Sequence, residues 1–124
     1  MNGVESLMWE LERDPRLSAA FANVTVFDRP PDRQIFRARM EAASHAVPRL
    51  RQRVVEQRNP WGHPLWVEDP DFDIDHHLRW MTLGGSADER ALLDLVATLS
   101  RQPFDRERPL WEFVTIEGLE GGRA

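Results

Sequence analysis

The chain has 124 residues, a formal net charge of −5, 41% hydrophobic residues and 30% charged residues, which is the size and composition of one globular domain. The negative charge disfavours a nucleic-acid partner, because phosphate binding requires a basic surface. The absence of cysteine excludes disulfides, thiolate catalysis and Cys-based zinc sites, and the lack of any apolar run near ~18 residues predicts a cytoplasmic protein without a transmembrane segment.

The first half of the chain predicts a helix, a strand and a second helix. Apolar residues recur at helical spacing from Val4 to Leu11, which predicts an amphipathic helix over residues 4–13 with these residues on its buried side. Residues 21–27 are mostly β-branched or aromatic and predict a strand. Apolar residues then recur at steps of three and four from Arg33 to Val47, so a helix is expected there, capped by Asp32.

Two short strands are predicted in the middle of the chain. Residues 64–68 form the first. Residues 72–79, with the sequence FDIDHHLR, alternate strictly between apolar and polar, as expected for a half-buried strand. In that strand His76 would face inward and His77 would face solvent.

The last third of the chain predicts a helix and a hairpin. Ser86 and Glu89 fit a capping box that begins an amphipathic helix, which must end before Pro103. Residues 110–117 predict a strand, and the glycine-rich residues 118–122 predict a hairpin turn. Helices and strands mix throughout, so the fold class is α/β or α+β with a mixed sheet. The expected hairpin has almost no second strand, which predicts a truncated chain.

Several polar clusters are candidates for chemistry. The adjacent histidines, His76 and His77, could supply a general base and its neighbour, but on a strand they point to opposite faces and are better explained as structural. Four aspartates with a spacing of two resemble the start of a calcium loop, yet the glycine and glutamate positions of that loop are wrong. We expect them to be solvated; they are Asp69, Asp71, Asp73 and Asp75.

The tryptophans and the arginines could each have a structural role or a role in substrate binding. The five tryptophans are explained by ordinary core packing or by an acyl pocket, and packing is favoured. The arginines between Arg49 and Arg58 would suit a phosphate-bearing cofactor such as coenzyme A, although a solvated helix face is the better explanation.

Five stretches in order resemble one known family. Pro48–Val55 resembles its P-x-L-R-x-R helix end, and Trp66–Arg79 resembles its W-x-x-D-x-x-F-D-I-x-x-H-(L/V)-R strand. Pro103–Arg106 and Pro109–Glu112 resemble its P-L-D-R-S-R-P-L-W segment, and Gly118–Ala124 resembles the turn before its catalytic strand. Over essentially its whole length, the chain is similar to bacterial wax ester synthase/diacylglycerol acyltransferases.

This resemblance implies a fold and an activity. The fold would be that of chloramphenicol-acetyltransferase-like, coenzyme-A-dependent acyltransferases, which have two similar α/β halves and a tunnel between them. Residues 1–124 would be the incomplete, N-terminal part of one half. The activity would be O-acyl transfer from acyl-CoA, as co-substrate, to diacylglycerol or a long-chain alcohol, with no bound cofactor and no metal. Family members are cytoplasmic or peripheral at membranes and lipid droplets.

The resemblance assigns no catalytic residue to these 124 residues. The family's general base is the second histidine of H-H-x-x-x-D-G, and the sequence ends before that motif. His76 and His77 do not replace it, because no Asp-Gly follows them. Pro109, Leu110 and Trp111 correspond to a structural motif near the active site. We therefore expect the chain to be inactive alone; the alternatives are a non-catalytic lipid- or partner-binding relic and a condensation-domain-like member of the same superfamily.

Overall fold

The computed structural model describes residues 1–59 and 61–124. Short 3₁₀ turns connect its regular elements, which pack as a mixture of helices and small sheets. The helices are α1 (Gly3–Leu11), α2 (Arg33–Ala46) and α3 (Glu89–Leu99), and the strands are β1 (Gln52–Val55), β2 (Leu65–Glu68), β3 (Leu78–Thr82) and β4 (Phe113–Glu117). None of the helices in the described part has the length and hydropathy of a bilayer span.

The four strands form two separate pairs. Strands β1 and β2 are antiparallel, with Gln52 opposite Glu68, and the loop between them makes this a local pairing. Strands β3 and β4 are parallel, with Leu78 opposite Phe113 and Thr82 opposite Glu117. Parallel neighbours need a crossover connection, and here α3 lies within that connection.

An aliphatic cluster forms where α3 packs against β3 and β4. Its buried members come from four different places in the chain: Leu83, Leu92, Ile116 and Leu119. The predicted helix is confirmed, but Asp88 and not Ser86 is its N-cap, because the Asp88 carboxylate accepts the backbone N–H of Ala91 at 2.8 Å. Between these two residues the backbone turns through Ala87 at a φ of 56°, so the expected capping box does not form.

The predicted hairpin after β4 is replaced by a tighter arrangement. Gly118 has a φ of 84°, and a Cβ there would lie 3.3 Å from Thr82 Cγ2, so the turn requires glycine. This turn directs Leu119 into the aliphatic cluster. Strand β4 pairs with β3, and after the turn Leu119 makes only an isolated antiparallel bridge with Arg123.

Two predictions near the N-terminus are wrong. Residues 21–27 form no strand; a β-strand exists only through its partner, and among the described residues only Phe27 of this segment makes a backbone pair, with Ala124. Helix α1 is confirmed, but it buries Ser6 and Trp9 instead of the expected side. The apolar residues of that side are 40–64% exposed: Val4, Leu7, Met8 and Leu11.

Candidate functional site

The segment that precedes β3 is a turn and not a strand. Ile74–His76 forms a 3₁₀ helix, in which the Asp73 carboxylate caps the backbone N–H of Asp75 at 3.0 Å. In a 3₁₀ helix residues three apart share a face. Ile74 and His77 are therefore both buried, with His77 only 3% exposed, while His76 is in solvent. The prediction for the two histidines is thus reversed.

His77 packs against two aromatic rings. The imidazole is nearly parallel to the rings of Phe72 and Trp111, with ring centroids 5.2 Å and 4.3 Å away and interplanar angles of 17° to both, and the centroids of Phe72 and Trp111 are 6.5 Å apart. The guanidinium of Arg51 lies over the Phe72 ring at 4.3 Å, which adds a cation–π contact. We call Phe72, His77 and Trp111 the aromatic stack.

Hydrogen bonds fix the orientation of the aromatic stack. His77 Nδ1 lies 2.8 Å from the carbonyl oxygen of Trp111. A carbonyl oxygen can only accept, so Nδ1 carries the proton and Nε2 is the unprotonated nitrogen of the neutral ring. The indole N–H of Trp111 donates to the carbonyl of Leu50 at 2.8 Å, and the backbone N–H of Phe113 donates to the carbonyl of His77 at 2.8 Å. Trp111 is therefore held at both its backbone and its ring.

Burial lowers the pKa of His77 below its usual value, because the charged imidazolium would lose its hydration. The hydrogen bond to Trp111 opposes this shift, and electrostatic repulsion from the neighbouring His76 and Arg108 side chains adds to it. A neutral, buried imidazole that already donates to Trp111 is suited to holding the tryptophan in place. It is poorly suited to removing a proton from a substrate, since it lies within the protein interior.

An open groove lies beside the aromatic stack. Trp111 belongs to both, and its neighbour Leu110 also lines the groove. Pro109 is buried, while Leu110 and Trp111 are half-buried. The groove has a volume of about 340 Å³. Its walls are mainly apolar, and they comprise Glu12, Ala19, Ala20, Phe21, Phe104, Leu110, Trp111 and Glu112. One of the two carboxylates, Glu112, is paired with Arg79 at 2.9 Å. Such a surface can accept an apolar group beside a polar rim.

The arginines after α2 do not lie on a helix face. Arg49 and Arg51 lie in a 3₁₀ turn and Arg53 lies in β1, so the predicted helix is wrong there, whereas Arg49 and Arg58 are solvent-exposed as predicted. The guanidinium of Arg49 covers Trp66 at 4.1 Å. Arg51 donates to Ser44 Oγ at 3.1 Å, and Arg53 lies 3.8 Å from the carboxylate of Asp69.

The four aspartates are separated by the structure. Asp69 is buried and accepts the backbone N–H of Asp71 at 3.1 Å, whereas Asp75 makes a two-pronged ion pair with Arg37 at 2.7 Å and 2.8 Å. This hydrogen-bonded guanidinium lowers the pKa of Asp75. Among residues 1–59 and 61–124 no three acidic or histidine side chains are grouped as metal ligands would be.

Packing accounts for most of the tryptophans. Trp9 is buried beneath the guanidinium of Arg106, which lies 3.5 Å from the ring centroid, and its indole N–H donates to Glu56 at 3.0 Å. Trp80 meets the edge of Phe36 with ring centroids 5.7 Å apart. Among residues 1–59 and 61–124, Trp61 is the one tryptophan that lies almost entirely in solvent, at 91% exposure.

Sequence reasoning missed two features of this site. Residues 19–21 form one wall of the groove, and no local pattern connects them to Trp111. The contact between His77 and Trp111 spans 34 positions in the chain, so neither the adjacent histidines nor the H-(L/V)-R part of the family pattern indicated it.

The chain matches a known protein family over its whole length. A sequence model described as the wax ester synthase/diacylglycerol acyltransferase catalytic domain matches residues 1–124. A candidate diacylglycerol O-acyltransferase of Mycobacterium tuberculosis strain H37Rv is 41% identical over 121 residues, which are 98% of this chain and 25% of that protein. A second one from the same strain is 33% identical over 132 residues, covering 99% of this chain and 27% of that protein.

A solved structure has the same fold. The wax ester synthase/diacylglycerol acyltransferase from Marinobacter aquaeolei VT8 is similar with a TM-score of 0.69 and 25% sequence identity, over 99% of this chain and 31% of that one. This similarity confirms the predicted mixed α/β, chloramphenicol-acetyltransferase-like fold class. The chain spans about a quarter of the length of its M. tuberculosis relatives.

Proposed function

The chain belongs to the wax ester synthase/diacylglycerol acyltransferase family, and on that premise we propose that it is the first part of an O-acyltransferase. The complete protein would transfer a fatty acyl group from acyl-CoA to diacylglycerol or to a long-chain alcohol. These 124 residues would contribute the N-terminal part of its catalytic domain and one wall of its substrate site.

The observation that carries this proposal is the position of the Pro109-Leu110-Trp111 segment. Its Leu110 and Trp111 line a mainly apolar groove of about 340 Å³, and Trp111 is held by the stacked and hydrogen-bonded ring of His77. An acyl chain gains free energy when it leaves water for an apolar surface, at about 0.8 kcal/mol per buried CH₂. The groove is better suited to binding an acyl chain than a phosphate group, because the carboxylates of Glu12 and Glu112 in its lining would repel phosphate.

Pro109, Leu110 and Trp111 would act as positioning residues. Pro109 is buried and restricts the backbone dihedral φ, and Trp111 is anchored through its indole N–H and its carbonyl. A wall that is already ordered loses little conformational entropy when a substrate binds. None of the three side chains supplies a group that could remove a proton from an alcohol, so chemistry must come from elsewhere in the complete protein.

We further propose that residues 1–124 are inactive alone. Acyl transfer from a thioester to a hydroxyl needs a general base near the attacking oxygen. His76 is exposed on a turn, and His77 is buried and occupied by Trp111. Neither histidine lines the groove.

We also propose that the complete protein associates with the surface of a membrane or a lipid droplet, because a lipid acceptor would be found there.

An assay of acyl transfer tests both statements. The complete protein and the 124-residue chain are each incubated with labelled palmitoyl-CoA and either dioleoylglycerol or hexadecanol, and the products are separated by thin-layer chromatography. We expect triacylglycerol or wax ester from the complete protein and none from the chain. No product with either acceptor would refute the proposed reaction, and product from the chain would refute its inactivity.

A matched pair of variants then tests the groove in the complete protein. Leu110→Arg places a charge on the apolar wall and is expected to abolish most of the transfer. Leu93→Arg places the same charge on the exposed side of α3, where Leu93 is 54% exposed, and is expected to leave transfer unchanged. Equal acyl transfer by the two variants would show that the groove is not part of the substrate site.

A further inference from the structure

The carboxylate of Glu12 holds the short segment that forms one wall of the groove. The backbone N–H of Ala19 donates to Glu12 Oε1 at 2.6 Å, and the Ser18 hydroxyl lies 3.3 Å and 3.4 Å from the two carboxylate oxygens. The backbone N–H of Ala20 in turn donates to Ser18 Oγ at 3.2 Å. One carboxylate thus fixes three consecutive residues, two of which, Ala19 and Ala20, line the groove.

The order of this wall depends on hydrogen bonds more than on burial. Residues 18–26 are all solvent-exposed, so little apolar area is removed from water there. Among residues 1–59 and 61–124, every hydrogen bond from this segment to another part of the chain goes to Glu12. The next backbone attachment is at Phe27, which pairs with Ala124. Exposed segments with few hydrogen bonds open most easily, so loss of the Glu12 carboxylate would release the wall.

Glu12 is itself connected to the rest of the groove lining through α1. Arg106 lies between Phe104 and Leu110, which both line the groove. Its guanidinium donates to the carbonyl of Trp9 at 3.2 Å and covers the buried Trp9 ring. Trp9 lies three residues before Glu12, which is the C-cap of α1. The carboxylate therefore extends from an anchored helix, and the wall that it holds is connected to the other lining residues.

We propose that Glu12 is a positioning residue for the apolar chain of the substrate, because its carboxylate keeps residues 18–21 in place as an ordered wall of the groove. This inference rests on the proposed function, in which the groove takes a fatty acyl or alkyl chain. A wall that is ordered before the chain arrives loses little conformational entropy on binding, so the substrate binds more tightly. The bond to Ala19 requires an acceptor oxygen and not a negative charge.

Two substitutions at Glu12 in the complete protein separate positioning from charge. Glu12→Ala removes the acceptor, whereas Glu12→Gln removes the charge and keeps an amide oxygen that can accept from Ala19. The matched control is Glu10→Ala, in the same helix, where the carboxylate pairs with Arg13 at 3.3 Å and does not line the groove. Amide hydrogen exchange with mass spectrometry reports the order of residues 18–21, and steady-state kinetics gives KM for palmitoyl-CoA and for dioleoylglycerol.

We expect Glu12→Ala to speed amide exchange in residues 18–21 by about tenfold, the effect of losing one charge-assisted hydrogen bond. One of the two KM values should rise by about tenfold, with less than about a twofold change in kcat. The KM that rises identifies the substrate whose chain lies in the groove. Glu12→Gln should stay within about threefold of the native protein in both measurements, and Glu10→Ala within about twofold.

Three outcomes would overturn the inference. Unchanged amide exchange in Glu12→Ala would show that the wall is ordered without the carboxylate, and two unchanged KM values would show that its order does not affect substrate binding. A loss with Glu12→Gln as large as that with Glu12→Ala would assign the effect to charge. If the native protein transfers no acyl group, the proposed function fails, and amide exchange still decides whether Glu12 orders the wall.

Ser18→Ala gives a second test at an exposed position, where folding is not at risk. It removes the hydroxyl that connects Glu12 to Ala20 and leaves the bond from Ala19 to the carboxylate. We expect amide exchange at Ala20 to increase by about threefold, as for the loss of one neutral hydrogen bond. An unchanged exchange rate at Ala20 would contradict the network.

Discussion

The aliphatic cluster beneath α3 and the aromatic stack around His77 stabilise the chain in different ways. The cluster buries Leu92 and Ile116 among aliphatic neighbours, so its contribution depends on the apolar area removed from water. The stack combines one buried ring, that of His77, and two half-buried rings with directional hydrogen bonds, above all those of Trp111. The cluster therefore mainly holds the fold together, and the stack mainly fixes the orientation of one segment beside the groove.

The difference predicts that substitutions in the cluster affect stability most. Leu92→Ala removes a buried side chain and leaves a cavity, so we expect the free energy of unfolding to fall by about 3 kcal/mol. Leu93→Ala is the matched control in the next position, where the side chain is exposed, and should change it by about 0.5 kcal/mol or less. Urea denaturation of the complete protein measures both. Similar values for the two variants would show that α3 packs through another face.

Trp111→Phe separates packing from hydrogen bonding in the stack. The ring remains aromatic, but the bond to the carbonyl of Leu50 is lost, so we expect a loss of about 1 kcal/mol in stability. Acyl transfer by the complete protein should fall more than this change in folding explains, because the groove wall loses its fixed orientation. Trp61→Phe, at a fully exposed tryptophan, should alter neither. Unchanged transfer by Trp111→Phe would mean that its orientation is irrelevant to the site.

The smallest expected effect is a dependence of stability on pH that comes from His77. Its pKa is lowered in the folded protein, chiefly by burial, so the unfolded chain binds the proton more readily than the folded one. The contribution of the neutral imidazole is fully present above the unfolded pKa of about 6.5. It declines as the pH falls below that value, by at most about 1.4 kcal/mol per pH unit.

Urea denaturation between about pH 5 and 8, the range in which histidine titrates, measures this dependence. His77→Gln should flatten the slope below about pH 6.5, since it removes the titrating group from the stack. His76→Gln is the matched control, because that ring is exposed. A slope that follows His76 instead of His77 would contradict the buried position of the second histidine.

The regular helices were predictable because their signals are local. Asp32 and the apolar spacing after it specified α2, and the structure places that helix at Arg33–Ala46 with Asp32 as its cap. The prediction of Ser86 as the N-cap of α3 is wrong, because the carboxylate of Asp88, two residues later, accepts the backbone N–H of Ala91 in its place. The predicted strand over residues 72–79 is wrong in its first part, although the alternation of apolar and polar residues fits a strand. The Asp73 carboxylate accepts the backbone N–H of Asp75 and so favours a turn, and an alternating pattern does not reveal such a bond.

The sequence by itself determined the family, the mixed α/β class and the three helices, because ordered motifs, caps and periodicity are properties of neighbouring residues. Only the tertiary structure decided that His77 and not His76 is buried, and that Trp111 is held between His77 and Leu50. It alone decided that residues 19–21 line the same groove as Leu110. The physical reason is that these contacts join distant parts of the chain, and burial and pairing depend on which surfaces meet when it folds.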